Sequence, residues 1–133
     1  MLIRILAVGQ RSPRWVDEAV SDYLKRFPSG LDVELVAVKT ENRTGDPTRR
    51  TEAATATLMA REAERLRAKL PPRARMVVLD EHGDDLRTTA LARRLQQWQQ
   101  AADPVAILIG GPDGELETVC ERARSTGITA RRL

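Results

Sequence analysis

The chain has 133 residues, 41% of them hydrophobic and 31% charged, and 22 Lys+Arg against 19 Asp+Glu leave a formal net charge of +3. That length suits one domain with one core, and the composition excludes a disordered chain. One cysteine and one histidine exclude a disulfide framework and the common four-ligand zinc site, and no apolar run nears the ~18 residues of a membrane span.

The opening "LIRILAV" is a short apolar run ending at Gly9, which predicts a buried strand. Ser12 and Pro13 offer an N-cap followed by proline at the first helical position. Val16, Ala19, Val20, Tyr23, Leu24 and Phe27 then recur at helical spacing until Pro28-Ser29-Gly30 ends the helix. "LDVELVAV" alternates as a half-buried strand does, and "KTENRTGDPTRR" after it is a polar loop longer than a connector needs. Residues 52–70 predict a helix with Met59, Ala63, Leu66 and Leu70 on one face, stopped by Pro71-Pro72. A third strand over 76–79 leads into a loop carrying Asp80, Glu81, His82 and Gly83. Thr88 is placed to cap a helix holding Leu91, Leu95 and Trp98, and "PVAILIGG" is a fourth strand. A last helix has Leu116, Val119, Cys120 and Ala123 on one side, and "GITARRL" suits a short final strand.

Strands that alternate with helices and are apolar along their length predict a single α/β domain over 1–133, a parallel sheet with helices on both faces. Ligands of such sheets gather at the carboxyl ends of the strands, so the loops after Val8, Leu79 and Ile109 are where a site belongs. Two of those loops carry glycine at once, and the late one reads "AILIGGPDG". Gly110 and Gly111 there either relieve a tight turn or leave the backbone bare for a flat ligand. Neither GxGxxG nor the P-loop pattern occurs, which argues against a phosphate-gripping nucleotide site.

Other candidates carry bland readings. His82 beside Asp80 and Glu81 reads as a structural or exposed histidine before a general base, and Cys120 as a small buried hydrophobe without a group to lower its pKa. Asp80, Glu81, Asp84 and Asp85 lack the spacing of a calcium loop, so no metal site is expected, and no catalytic residue stands out. Trp15 and Trp98 read as helix packing residues. Between positions 41 and 75 cations outnumber anions, mostly as arginine, which suits either phosphate recognition or a solvated helix face. The lone cysteine, with "MLIRILAVG" too short and too soon charged for a secretory signal, sets a cytoplasmic expectation.

Three stretches occur together in order: "ILAVGQRSPRWVDEAVSDYLKRFP", "VVLDEHG" and "ILIGGPDG". In this the chain resembles the SPOUT-class 23S ribosomal RNA methyltransferase H family over roughly residues 1–124. The resemblance implies methylation of N3 of a pseudouridine in the large-subunit RNA, S-adenosylmethionine as cofactor, a trefoil knot near the C-terminus and a homodimer packed through the knotted region. The matching cofactor positions are Leu79, Gly110 and Gly111. Candidates for contact with 23S rRNA in the large subunit or assembled ribosome are Arg11, Arg14, Lys25, Arg26, Arg43, Arg49 and Arg50. The family continues into a Ser- and Leu-rich segment, a Leu-Pro-His stretch and a further helix, where this chain reads "RARSTGITARRL". That departure sets two expectations: an incomplete knot with weakened cofactor binding and, as the alternative function, an inactive truncated relative that keeps only RNA or ribosome contact. A more remote reading is a different α/β enzyme whose glycine loop takes another nucleoside-like ligand.

Overall fold

Short, mostly apolar runs separated by helices have one economical arrangement: strands side by side and parallel, with the helices returning over the faces. The computed structural model, which describes residues 1–9, 12–39, 51–80, 83–110 and 130–132, has this arrangement. Its elements are β1 (Leu2–Val8), α1 (Arg14–Leu24), β2 (Asp32–Val38), α2 (Glu52–Ala68), β3 (Arg75–Leu79), α3 (Thr88–Ala101), β4 (Val105–Ile109) and β5 (Ala130–Arg132). The strands form one sheet in the order β2-β1-β4-β3-β5, and every neighbouring pair is parallel. The short β5 falls within "GITARRL", where the sequence suggested a final strand.

Strand alternation divides the core in two. Leu6, Val8, Val38, Met76, Val78, Ala106 and Leu108 pack with Ala63 and Leu66 of α2 on one face. Ile3, Val77 and Val105 pack with Trp98 of α3 on the other, with Ile5, Val33, Leu95 and Ile107 partly buried around them. α1 covers this second face, since Val20 and Leu24 line a groove with Leu35, which pairs in register with Ile5. Helices thus alternate sides as right-handed crossovers require when the chain moves first one way and then the other along the sheet. One partly buried ion pair ties three elements together. Arg4 and Glu34 are register partners on β1 and β2, their side chains bond, and a second Arg4 nitrogen donates to the Lys69 carbonyl at the end of α2, at 2.9 Å.

Several local expectations shift. The N-cap of α1 is Pro13, not Ser12: its backbone is extended (φ −58°, ψ 153°), and its carbonyl accepts from the Val16 and Asp17 N–H groups at 3.0 and 3.3 Å. Proline has no N–H to lose, and its fixed φ suits an extended cap as well as a first helical turn. Phe27 lies past the end of α1, and Thr88 is the first residue of α3 with Arg87 as cap. By contrast, the Thr51 hydroxyl caps α2 by accepting from the Ala54 N–H at 3.2 Å. Trp98 is buried as expected, whereas Trp15 is 71% exposed and packs little. The expected helix with Leu116, Val119, Cys120 and Ala123, like His82 and Glu81, lies outside the described residues.

Two consequences are measurable by urea titration. Truncating Trp98 to Ala removes a wedge between α3 and three strands and should cost about 3–5 kcal/mol, while Trp15→Ala should cost under about 1 kcal/mol, as surface changes do. Ala102, which ends α3 with φ 59°, sits where an L side chain costs about 1–2 kcal/mol. Ala102→Gly should therefore raise stability by up to about that amount.

Candidate functional site

The register brings three strand ends level. Ala7 pairs with Ile109, and Ile109 pairs with Leu79, so the last residues of β4 and β3 stand in a row with the second-last residue of β1 at the carboxyl rim. Leu79 and Ile109 lie on the face covered by α1 and α3, by alternation from Val77 and Ile107. Side by side, they are 43% and 42% exposed, an apolar ledge directly after Val78 and Leu108, which are closed to water. α3 runs back from the rim with Leu95 and Trp98 on its packed face, and Leu91, one turn nearer the rim on that face, is also exposed. The corner beside the end of β3 is therefore open and apolar among the described residues.

Glycines border this corner. Gly110 follows the ledge directly and is exposed, and Gly111 lies outside the described residues. Gly9 leaves β1 with its N–H donating to the Val38 carbonyl at 3.2 Å. Among the described residues a Cβ at Gly9 would meet nothing within 4 Å, and its φ is not in the left-handed region, so neither their packing nor backbone strain demands a glycine there. Beyond β3, the Gly83 N–H donates to the Asp80 carbonyl at 2.9 Å, closing a turn at the same rim.

Of the residues expected at the cofactor site, the structure brings Leu79 and Gly110 together at this rim. It adds Ile109, which sequence reading treated only as strand; its signal was position, as the last apolar residue before two glycines. The arginine candidates are dispersed. Arg14 opens α1 near the rim and bonds Glu18 at 2.9 Å with both side chains exposed. Lys25 and Arg26 follow the far end of α1, about 16 Å away along an eleven-residue helix. There Arg26 pairs with Asp22 and lies over the Tyr23 ring, 4.9 Å from its centroid. Arg11, Arg43, Arg49 and Arg50 lie outside the described residues.

One charged residue stands apart from the surface it was counted with. Glu62 is fully buried on α2. Its place three residues after Met59 and four before Leu66, on the apolar face of the helix, was the available signal. No group of three or more His, Cys, Asp or Glu that would hold a metal occurs among the described residues.

A parallel α/β sheet with an open apolar corner bordered by glycine at its carboxyl rim defines an α/β protein with a cleft where ligands of such sheets gather. Comparison with known proteins narrows this. The family model described as "Predicted SPOUT methyltransferase" matches residues 1–127. A ribosomal RNA large subunit methyltransferase H of Acidovorax ebreus is 54% identical over 114 residues, which cover 86% of this chain and 69% of the relative. The proteins of the same name from Leptothrix cholodnii and Methylibium petroleiphilum are 49% and 47% identical, over 92% and 95% of this chain and 75% and 77% of theirs. The chain belongs to the SPOUT methyltransferase family, and it is a methyltransferase.

Because no contact with a described residue requires glycine at position 9, Gly9→Ala should leave stability unchanged or raise it by up to about 1 kcal/mol through the unfolded chain, read as the midpoint of urea unfolding. A loss larger than that would mean the rim is more crowded than its geometry indicates.

Proposed function

We propose that this chain transfers a methyl group from S-adenosylmethionine to N3 of a pseudouridine in 23S ribosomal RNA, acting on the large subunit or the assembled ribosome in the cytoplasm. The observation that carries the reading is the exposed Leu79–Ile109 ledge beside the bare Gly110 backbone, in a chain whose relatives bear the name ribosomal RNA large subunit methyltransferase H. The residues fit the cofactor. Two half-exposed aliphatic side chains offer a flat ring an apolar floor, and a residue without Cβ admits that ring against the main chain. Gly111 is proposed to continue this wall. The cofactor carries no phosphate, in keeping with the missing phosphate loop.

When bound, S-adenosylmethionine supplies an electrophilic methyl group for in-line displacement by a deprotonated ring nitrogen. The work left to the chain is positioning. Leu79 and Ile109 keep water from one side of the ligand, and fixed strand ends hold their spacing, which is how oriented reactants gain rate without a strong acid or base. Arg14 stands at the rim end of α1, where RNA would approach. Arg11, Arg43, Arg49 and Arg50 are proposed to extend its contact with phosphates, with Lys25 and Arg26 engaging RNA only if the footprint runs the length of α1.

A homodimer belongs to the same proposal. Among the described residues the exposed large hydrophobics are Trp15, Tyr23, Phe27, Leu35, Leu79, Leu91 and Ile109. All belong to α1 and its end, to α3, or to strand positions on the face those helices cover, and none belongs to α2 or the face beneath it. An apolar surface confined to one side, rich in aromatic residues, is what a second copy would cover.

Titration calorimetry with S-adenosylmethionine should give a micromolar Kd, weakened about tenfold or more in Ile109→Asp through the charge introduced on the ledge. No heat at millimolar cofactor, with ribosome binding retained, would instead leave a protein that only binds RNA. Ribosome affinity should fall as salt rises, and Arg14→Gln should flatten that slope by about one counterion. Sedimentation should find a dimer that Tyr23→Glu dissociates.

A further inference from the structure

The order β2-β1-β4-β3-β5 leaves β2 and β5 with one unpaired edge each. β5 has three residues and offers another strand little to pair with, while β2 has seven. Successive residues of a strand turn their N–H and C=O groups to opposite edges. On β2 the inward set is fixed by two bonds to the residues that flank β1. The Asp32 N–H donates to the Met1 carbonyl at 2.9 Å, and the Val38 carbonyl accepts from the Gly9 N–H at 3.2 Å. Val33, Leu35 and Ala37 therefore face outward, and Lys39, next in that series, lies just past the strand. Two of these outward carbonyls are occupied. Lys69 Nζ, at the C-cap of α2, donates to the Ala37 carbonyl, and Arg65 Nη1, one turn earlier, donates to the Lys39 carbonyl, each at 3.3 Å.

Arg65 and Lys69 stand four residues apart on one flank of α2, beside the stripe on which Ala63 and Leu66 pack. Packing asks nothing polar of that flank. A strand arriving at the β2 edge would have to offer N–H groups to the Ala37 and Lys39 carbonyls. It would find there two cations that it must displace or bury against its own backbone. We infer that Arg65 and Lys69 close the rim half of the β2 edge to strand addition by a second copy of this chain. A second copy is the partner to be refused, because an open edge of seven residues can pair with the same edge of another molecule about a two-fold axis. Among the described residues no side chain bonds the outward groups of Val33 or Leu35, and pairing confined to that half is too short to hold two molecules together. The inference depends neither on the cofactor reading nor on the proposed dimer, whose surface lies on α1 and α3.

The test compares the full chain with the double variant Arg65→Met, Lys69→Met, which keeps apolar stems and removes both donors. Sedimentation velocity should show the variant forming species at least about twice the wild-type mass, growing with concentration. In those species amide hydrogen exchange at the outward Leu35 and Ala37 should slow about tenfold. Exchange at the inward Val36 and Val38, paired with β1 in either state, should stay within about twofold. The charge-preserving pair Arg65→Lys, Lys69→Arg should sediment as wild type does. A methionine variant that sediments like wild type overturns the inference. So does a larger species in which Leu35 and Ala37 exchange as before, since association then runs through another surface, and so does equal association of the charge-preserving pair. Should the double variant fail to fold, Lys69→Met alone is read against the same criteria. A wild-type mass of one chain sinks the proposed dimer on that result, while the comparison with the variants still decides whether the edge is guarded.

Discussion

Pairing of β4 with β1 on one side and β3 on the other, in a register that makes Ala7, Ile109 and Leu79 level, is the constraint from which the site follows. Val105, Ala106 and Leu108 have no exposed surface. A strand enclosed by neighbours at both edges and by helices on both faces has no room for polar side chains, so any chemistry it supports must begin where it ends. Three parallel strands ending within a residue of one level then deliver three loops to one rim. The apolar ledge is the residue of this geometry: the last two side chains on the strands extend beyond the helices that cover the rest.

The two faces are covered unequally, and the helices explain why. α2 is seventeen residues long and seals Ala63 and Leu66 against a cluster drawn from four strands. α1 has eleven residues, none of them buried, and rests on the edge strand β2, leaving Leu35 exposed in the groove beside it. By area, α2 contributes far more to stability than α1, because burial, not helix formation, supplies most of a helix's worth. The surface on the α1 side is thus both the less stabilised and the more apolar.

Much of this was legible because parallel strands are written plainly. "LIRILAV" became β1 without adjustment, and β3 and β4 differ from their expected bounds by a residue. Helix starts were less legible. A Ser-Pro pair and a threonine each suggest a cap, yet Pro13 and Arg87 hold those places, since any extended residue whose carbonyl is free can open a helix. Composition misplaced single residues whose surroundings come from elsewhere in the chain. Trp15 has the chemistry of a core residue but faces water, because nothing described on α1 or β2 reaches it. Glu62 has the chemistry of a surface residue but faces the sheet, because its helix phase, not its charge, decides where it points. The rim itself was inferred from strand order, while the open state of its corner needed the pairing of Leu79 with Ile109.

The described residues that frame the corner, Leu79, Ile109, Leu91, Gly9 and Gly110, carry no charge, so the ledge itself selects by shape, and charge at this rim comes from residues beside it such as Asp80 and Arg14. Discrimination there falls to shape, and attraction of a polyanion falls to side chains further out. The described arginines of α1 and of the turn after it are already paired: Arg14 is tethered to Glu18 and Arg26 to Asp22. An exposed pair of this spacing is worth only about 0.3–0.5 kcal/mol, while a guanidinium gains more from a phosphate that accepts two hydrogen bonds. Exchanging a carboxylate for a phosphate is therefore downhill. Counted with Lys25 and Arg26 just beyond it, the carboxylates hold the local charge of α1 near neutral, and an aromatic surface of that kind favours contact with protein over contact with a polyanion.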